Sequence, residues 1–336
     1  MTTVPDRRTV LRAGGAIAAT LLLSLLFIAS YAGALHAPTP RDVPVAVSAQ
    51  VPAEVAAGLE RGGTLKVQRV ADPAAAEHAI ATRDAYGSIT PTRGGRLRVT
   101  VAPAASPAIS QLLSTQLVEQ LRAAGVAPTL HTVHPLPDED SRGTVAFYLG
   151  IGWVLAGYFG ATLLGLALGT RLGAWHTAWR IVALGVLGLA GGLAGTAIAG
   201  AIGGYSEGFL AVSLLGLLTV LAVGTATVVF QSLFGLAGTG VAILLFVVVG
   251  NPAAGGAAPP ELLPGLWSDV GQLLPNGAAV TGIRDAVYFP DASLGGTVLV
   301  LVAWFVASAV VALLVGARAR GITDDEAGAS ISAAAA

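Results

Sequence analysis

Long apolar runs alternate with short polar gaps along most of the chain, and one stretch, 36–143, breaks the pattern. The first run, Gly14 to Leu35, follows Arg7, Arg8 and Arg12. Its 22 residues reach across a bilayer at 1.5 Å per residue. A cleaved signal peptide has a shorter apolar core and a small-residue cleavage site, for which Ala32-Gly33-Ala34 would serve; the length favours a retained anchor. Five further runs follow the polar stretch: Thr144–Thr170, Ile181–Gly203, Phe209–Phe230, Leu233–Gly250 and Leu294–Ala317. Each has at least 18 residues and no charge, which predicts a membrane span. Only Gln231 and Ser232 separate the fourth span from the fifth.

The polar stretch alternates strand-like and helix-like patterns. Strands are predicted at Val43–Ala49, Leu65–Val70, Ala85–Thr90, Leu97–Ala102 and Ala127–Val133, with Arg93-Gly94-Gly95 as a hairpin turn. Helices are predicted at Ala53–Glu60, Pro73–Arg83 and Pro107–Ala124, the last capped by Ser106 and ended by Gly125. This is an α/β domain large enough for its own core.

Composition agrees with the pattern. Mean hydropathy is +0.75, 54% of residues are hydrophobic and 11% are charged, against about a quarter charged in soluble domains. Eighteen basic residues against 19 acidic ones leave no excess to hold a nucleic-acid backbone. The absence of cysteine excludes disulfides, thiol catalysis and cysteine zinc sites. Between Arg41 and Arg142 lie ten basic and ten acidic residues, an evenly solvated surface. Elsewhere Arg7, Arg8, Arg12, Arg171, Arg180, Arg318 and Arg320 fall in alternate gaps, while Arg284 shares the opposite gaps with five acids. By the positive-inside rule, both termini are cytoplasmic. The expected fold is an α-helical polytopic membrane protein of six transmembrane helices, with an extracytoplasmic α/β domain inserted between helices 1 and 2. Its divisions are a cytoplasmic N-terminus (1–13), helix 1 (14–35), the α/β domain (36–143), a five-helix domain (144–317) and a cytoplasmic disordered tail (318–336). The arginine, alanine and glycine bias suits a GC-rich bacterial genome, which places the chain in a bacterial cell membrane.

The stretch 251–293 is the most informative. Asn251-Pro252 ends the fifth span, and Pro259-Pro260-Glu261 opens a helical run with Leu262, Leu263, Leu266, Trp267, Val270, Leu273 and Leu274 on one face. Pro275-Asn276-Gly277 breaks it, and a second short helix, Ala278 to Tyr288, follows. Two helices too short to span predict a re-entrant or interfacial hairpin at 259–289, with Trp267 and Tyr288 at interfacial depth. The alternative is an amphipathic loop on the membrane surface.

Gly250-Asn251-Pro252, Pro260-Glu261-Leu262-Leu263-Pro264, Leu273-Leu274-Pro275-Asn276-Gly277 and Gly282-Ile283-Arg284-Asp285-Ala286-Val287-Tyr288-Phe289 resemble the end of type-2 ABC exporter permeases. More closely, they are similar to actinobacterial membrane proteins of the YhgE/Pip kind, in which one span precedes an outer α/β domain and five follow. Ala85-Tyr86-Gly87-Ser88-Ile89 and Ser106–Gln111 extend the likeness into the α/β domain. The resemblance implies export or envelope assembly, a separate ATPase chain, and a homodimer or heterodimer, since one such subunit is half a transporter. It supplies no substrate. Glu261, Trp267, Pro275, Gly277, Arg284, Asp285 and Tyr288 then belong to a hairpin at the outer mouth. Arg171, Trp175, Trp179 and Arg180 form a candidate cytoplasmic coupling loop, with an interfacial anchor as the alternative. The short segment before the first span departs from permeases that present an amphipathic N-terminal helix to their ATPase.

Other motifs carry less. Gly204-Tyr205-Ser206-Glu207-Gly208 matches G-x-S-x-G but lies between two spans, without the strand a nucleophile elbow requires. His131 and His134 would point to opposite faces of a strand. Asp138-Glu139-Asp140 reads as a solvated linker. No phosphate-binding loop surrounds Lys66, so the chain is expected to bind no nucleotide, metal or cofactor and to be no enzyme. Gly188-x-x-x-Gly192 and Gly191-x-x-x-Gly195 permit close helix packing, within the chain or between copies. Spans free of ionisable residues argue against a proton-coupled carrier. Two readings remain: a permease-like export subunit, and a non-transport envelope scaffold whose outer domain binds a partner or cell-wall component.

Overall fold

The computed structural model describes residues 6–170, 173–205 and 207–334, with the side chains of Arg12 and 319–334 left aside. Helix α1 (Arg7–Leu35) is capped by Asp6, whose Oδ1 accepts the Thr9 N–H at 2.9 Å. Most of α1 faces outward; its end is held where the Ser30 hydroxyl donates to the Val248 carbonyl at 2.6 Å.

A five-stranded sheet follows: β1 (Val43–Ser48), β2 (Leu65–Val70), β3 (Gly87–Pro91), β4 (Leu97–Val101) and β5 (Pro128–Thr132). The spatial order is β2-β1-β3-β4-β5, with β3 and β4 antiparallel as a hairpin and the other neighbours parallel. Helices α2 (Ala53–Glu60), α3 (Pro73–Ala81) and α4 (107–123) make the parallel crossovers. Ser106 Oγ accepts the Ile109 N–H at the start of α4, and the five residues Leu113–Leu117 take a π-helical turn. Val45, Val47, Ile89, Val99, Ile109 and Leu113 form the sheet core. Ala258, Leu262 and Leu263 join that core from the distant segment before the last long helix.

Helices α5 (Val145–Leu168), α6 (Ala174–Gly203) and α7 (Phe209–Phe234) build the bundle with α11 (Gly295–Ala334). With α1, five helices among the described residues are long and apolar enough to cross a membrane, which fits a membrane-embedded protein. Alpha-helix 7 is the most buried. It packs tightly on α6: a Cβ at Gly192 would lie 2.3 Å from the Ser213 carbonyl oxygen, and one at Gly216 would lie 2.8 Å from Gly192 Cα. Gly188 and Gly192 therefore serve packing within the chain.

The fifth expected span, Leu233–Gly250, is the shorter helix α8, Ala237–Ala253. At 17 residues it covers about 25 Å, less than the ~30 Å hydrocarbon core. It folds back from α7 through Gly235, whose φ of +62° suits a residue without Cβ. Short helices α9 (Gly265–Gly271) and α10 (Pro275–Tyr288) follow. The expected disordered tail is instead helical to Ala334 in continuation of α11, and its alanine-rich composition favours that backbone.

Candidate functional site

The segment expected as a hairpin lies between the sheet domain and the bundle. Pro264 ends the one-turn helix Pro260–Leu262 and starts α9, so the predicted single run is two pieces. Pro275-Asn276-Gly277 is the first turn of α10 rather than a loop. Asn276 Nδ2 donates to the Phe246 carbonyl at 2.8 Å and to Asn251 Oδ1 at 2.7 Å, while Gly250 leaves room for the Asn276 amide. A Cβ at Gly277 would sit 2.2 Å from the Gly271 carbonyl oxygen. Alpha-helix 10 is thereby clasped among α5, α7 and α11. Trp267 pins α1 to this segment, its Nε1 donating to Ser30 Oγ at 3.1 Å.

The charges expected at an open mouth are buried in an interdomain clamp. Arg284 and Asp285 are each 6% exposed. Arg83, which follows α3 and has a φ of +61°, pairs with Asp285 and donates to the Thr281 carbonyl at 3.3 Å. Its guanidinium also lies 5.5 Å from the centre of the Phe289 ring. Arg284 donates to the carbonyls of Gly255 and Gly256 at 2.8 and 3.1 Å. Glu261 Oε2 accepts the Tyr86 hydroxyl at 2.8 Å, and the Glu261 carbonyl accepts the Arg41 N–H. The fully buried Phe289 inserts among Ile80, Ala102, Ala104 and Ala105 of the sheet domain. His134 Nδ1 donates to the Tyr288 carbonyl at 3.0 Å, and the Tyr205 ring meets Tyr288 edge-on.

Burial sets the protonation of this clamp. It lowers Arg284 to about 10, helped by the neighbouring Arg83. It raises the Asp285 carboxyl, against the pull of Arg83. It lifts Tyr288 to about 12, and lifts Tyr86 further in the presence of Glu261. At neutral pH the Tyr86 hydroxyl keeps the proton that it donates to Glu261, and Arg284 is a cation.

A second polar cluster lies at the far end of the bundle. Alpha-helix 6 starts at Ala174, so Trp175, Trp179 and Arg180 stand on a helix rather than in a loop, and Arg171 lies outside the described residues. Trp175 and Trp179 face outward. Arg180 turns inward and is 1% exposed. Its Nη2 donates to the Ala161 carbonyl at 2.8 Å and to Gln231 Oε1 at 2.6 Å. Gln231 Nε2 donates on to Thr239 at 3.0 Å, which ties α5, α6, α7 and α8 together. Arg180 Nε has no hydrogen-bond partner, and its only described side-chain partner is an amide.

The remaining motifs resolve simply. Asp140 is no solvated linker: it is 4% exposed, and its carboxylate accepts the N–H groups of Thr144 and Val145 at the start of α5 and the Tyr205 hydroxyl. His131 is exposed, and among the described residues no three metal-ligating side chains converge. Ser206 lies outside the described residues. Sequence reasoning missed Arg83, Tyr86, Phe289 and Gln231 as site residues. Only the unusual Tyr86 and Phe289 within the resemblance pointed toward two of them. Comparison with protein-family models, curated proteins and solved structures gives no match.

Proposed function

We propose that the chain is a permease-like membrane subunit of an export system, driven by a separate ATPase chain and working as a pair of subunits. The sheet domain stands outside the cell in this reading. Chain direction alternates through the bundle, so Arg7, Arg8, Arg180 and Arg318 gather at the end away from that domain, as cytoplasmic positive charge requires. The observation that carries the reading is the clamp. The sheet domain is bolted through Arg83–Asp285, Tyr86–Glu261 and Phe289 to α10, itself held by three long helices. A change in helix packing would move the sheet domain as well, as a transporter with an outer domain needs and a tethered binding module does not. Trp175 and Trp179 are exposed beside the buried Arg180 and form the first surface to mutate for a cytoplasmic partner.

The test is purification of the full-length protein from its native membrane in mild detergent, followed by mass spectrometry of co-purifying chains. A stoichiometric ATPase lost on Trp175→Ala/Trp179→Ala supports the export reading. Reproducible recovery of envelope components without an ATPase would replace it with the scaffold reading.

A further inference from the structure

Between the sheet-domain halves of α5 and α6 runs an apolar groove of about 460 Å³, within the size range of ligand sites. Tyr148, Trp153 and Ile202 wall it, and its floor is opened by Gly152, Gly191 and Gly195. At its end, sharing Leu149 and Ala199, lies a more enclosed pocket of about 190 Å³ that changes character. Thr196, Tyr205 and Glu207 line it. Thr196 is 7% exposed and its hydroxyl has no partner. Thr162, Thr219, Thr225 and Thr227 all return their hydroxyls to the carbonyl four residues earlier; Thr196 does not. A buried hydroxyl without a partner costs stability unless something else fills it. Its one charged lining residue is acidic: Glu207, which is exposed there. Among the described residues no basic side chain lines either cavity.

We infer that this groove and pocket form a binding site for a membrane amphiphile carrying a primary-amine headgroup, with its acyl chain between α5 and α6 and its amine at Thr196 and Glu207. The ligand class follows from the sequence of surfaces along the site: apolar, then a lone hydroxyl, then carboxylate. A second copy's apolar helix would fill the groove but bring no donor to the pocket. An anionic headgroup would meet the Glu207 carboxylate. The site does not depend on whether the protein exports anything.

The experiment uses the full-length protein in lipid nanodiscs containing a diazirine-tagged phosphatidylethanolamine or, separately, a diazirine-tagged phosphatidylglycerol. Labelled peptides are mapped by mass spectrometry. Residues 145–156 and 191–207 should take the amine probe about tenfold more than the anionic one, the value of one charge-assisted hydrogen bond. Gly152→Leu and Gly191→Leu are the blocking variants. A Cβ at either position meets nothing within 4 Å, so the new side chain grows into open groove rather than into a neighbour. Both should remove the labelling while leaving thermal stability at or above the parent's. Thr196→Val should lower labelling without loss of stability, and Glu207→Gln should erase the headgroup preference. Equal labelling by both probes would overturn the inference in favour of ordinary boundary lipid. So would labelling that survives in the filled-groove variants. Loss of a dimer in those variants without any probe labelling would assign the groove to a second copy instead.

Discussion

Two buried arginines, Arg284 and Arg180, solve one problem in different company. Each is nearly sealed from solvent and donates to main-chain carbonyls. Arg284 stands in a neighbourhood with Asp285, Glu261 and a further cation, Arg83, so acids and bases there come close to balance. Arg180 has Gln231, two threonine hydroxyls beyond it, and no carboxylate partner among the described residues. A balanced cluster can hold two domains in one place, because breaking it strands charge on both sides. An arginine neutralised only by dipoles holds four helices by a less secure bond. The clamp is thus held by paired charge, and the Arg180 cluster by one buried cation whose few dipole partners each carry more of the cost of its burial.

The largest effect should come from Gln231→Leu, which leaves the Arg180 cation with one carbonyl. Loss of about 2–3 kcal/mol is expected from thermal unfolding in detergent, and Arg180→Met in the same chain should restore most of it. No recovery in the double variant would show that Gln231 matters for packing alone. Next is Arg83→Gln, which strands Asp285 and should cost about 2 kcal/mol, with hydrogen exchange rising first in α10 and β3.

That variant also carries a pH signature. Burial already raises Asp285, and removing Arg83 takes away the influence that lowers it. A carboxyl raised in the folded state favours folding fully below its unfolded pKa, and the benefit fades as pH rises through the folded value. The deficit of Arg83→Gln should therefore be widest at neutral pH and shrink as pH falls toward about 4. A deficit that widens on acidification would contradict the assignment.

Tyr86→Phe removes one hydrogen bond to Glu261 and should cost about 1 kcal/mol. Smallest is Trp175→Ala, whose exposed ring should matter within about 0.5 kcal/mol for stability. A larger loss would mean that the Trp175 ring takes part in the packing that holds the far end together.

Much of the fold was legible because period and caps are local. The strands and helices of the sheet domain follow their alternation and the Ser106 and Gly125 signals to within a few residues. The long spans follow from uninterrupted apolar runs. The site was legible only in part. Its residues stood out as the distinctive segment between Gly250 and Phe289, but their partners did not, since Arg83 and Tyr86 are brought to Asp285 and Glu261 from 202 and 175 residues away. Arg180 was misplaced for a different reason. A charge at the edge of an apolar run ends the run by composition, although the helix had begun two turns earlier at Ala174. A membrane helix can carry such a residue inward when carbonyls and an amide receive it.

Ala258, Leu262, Leu263 and Phe289 complete the core of a domain whose strands end at Thr132. During synthesis that domain waits, with apolar surface uncovered, until more than a hundred further residues and four helices have been made. A ribosome-bound intermediate would need shelter in this interval, and the clamp would be the final joint to close. Expression of 36–143 alone should yield an insoluble fragment, whereas joining 257–290 to it by a linker supplies the missing wall and should return a soluble, folded sheet.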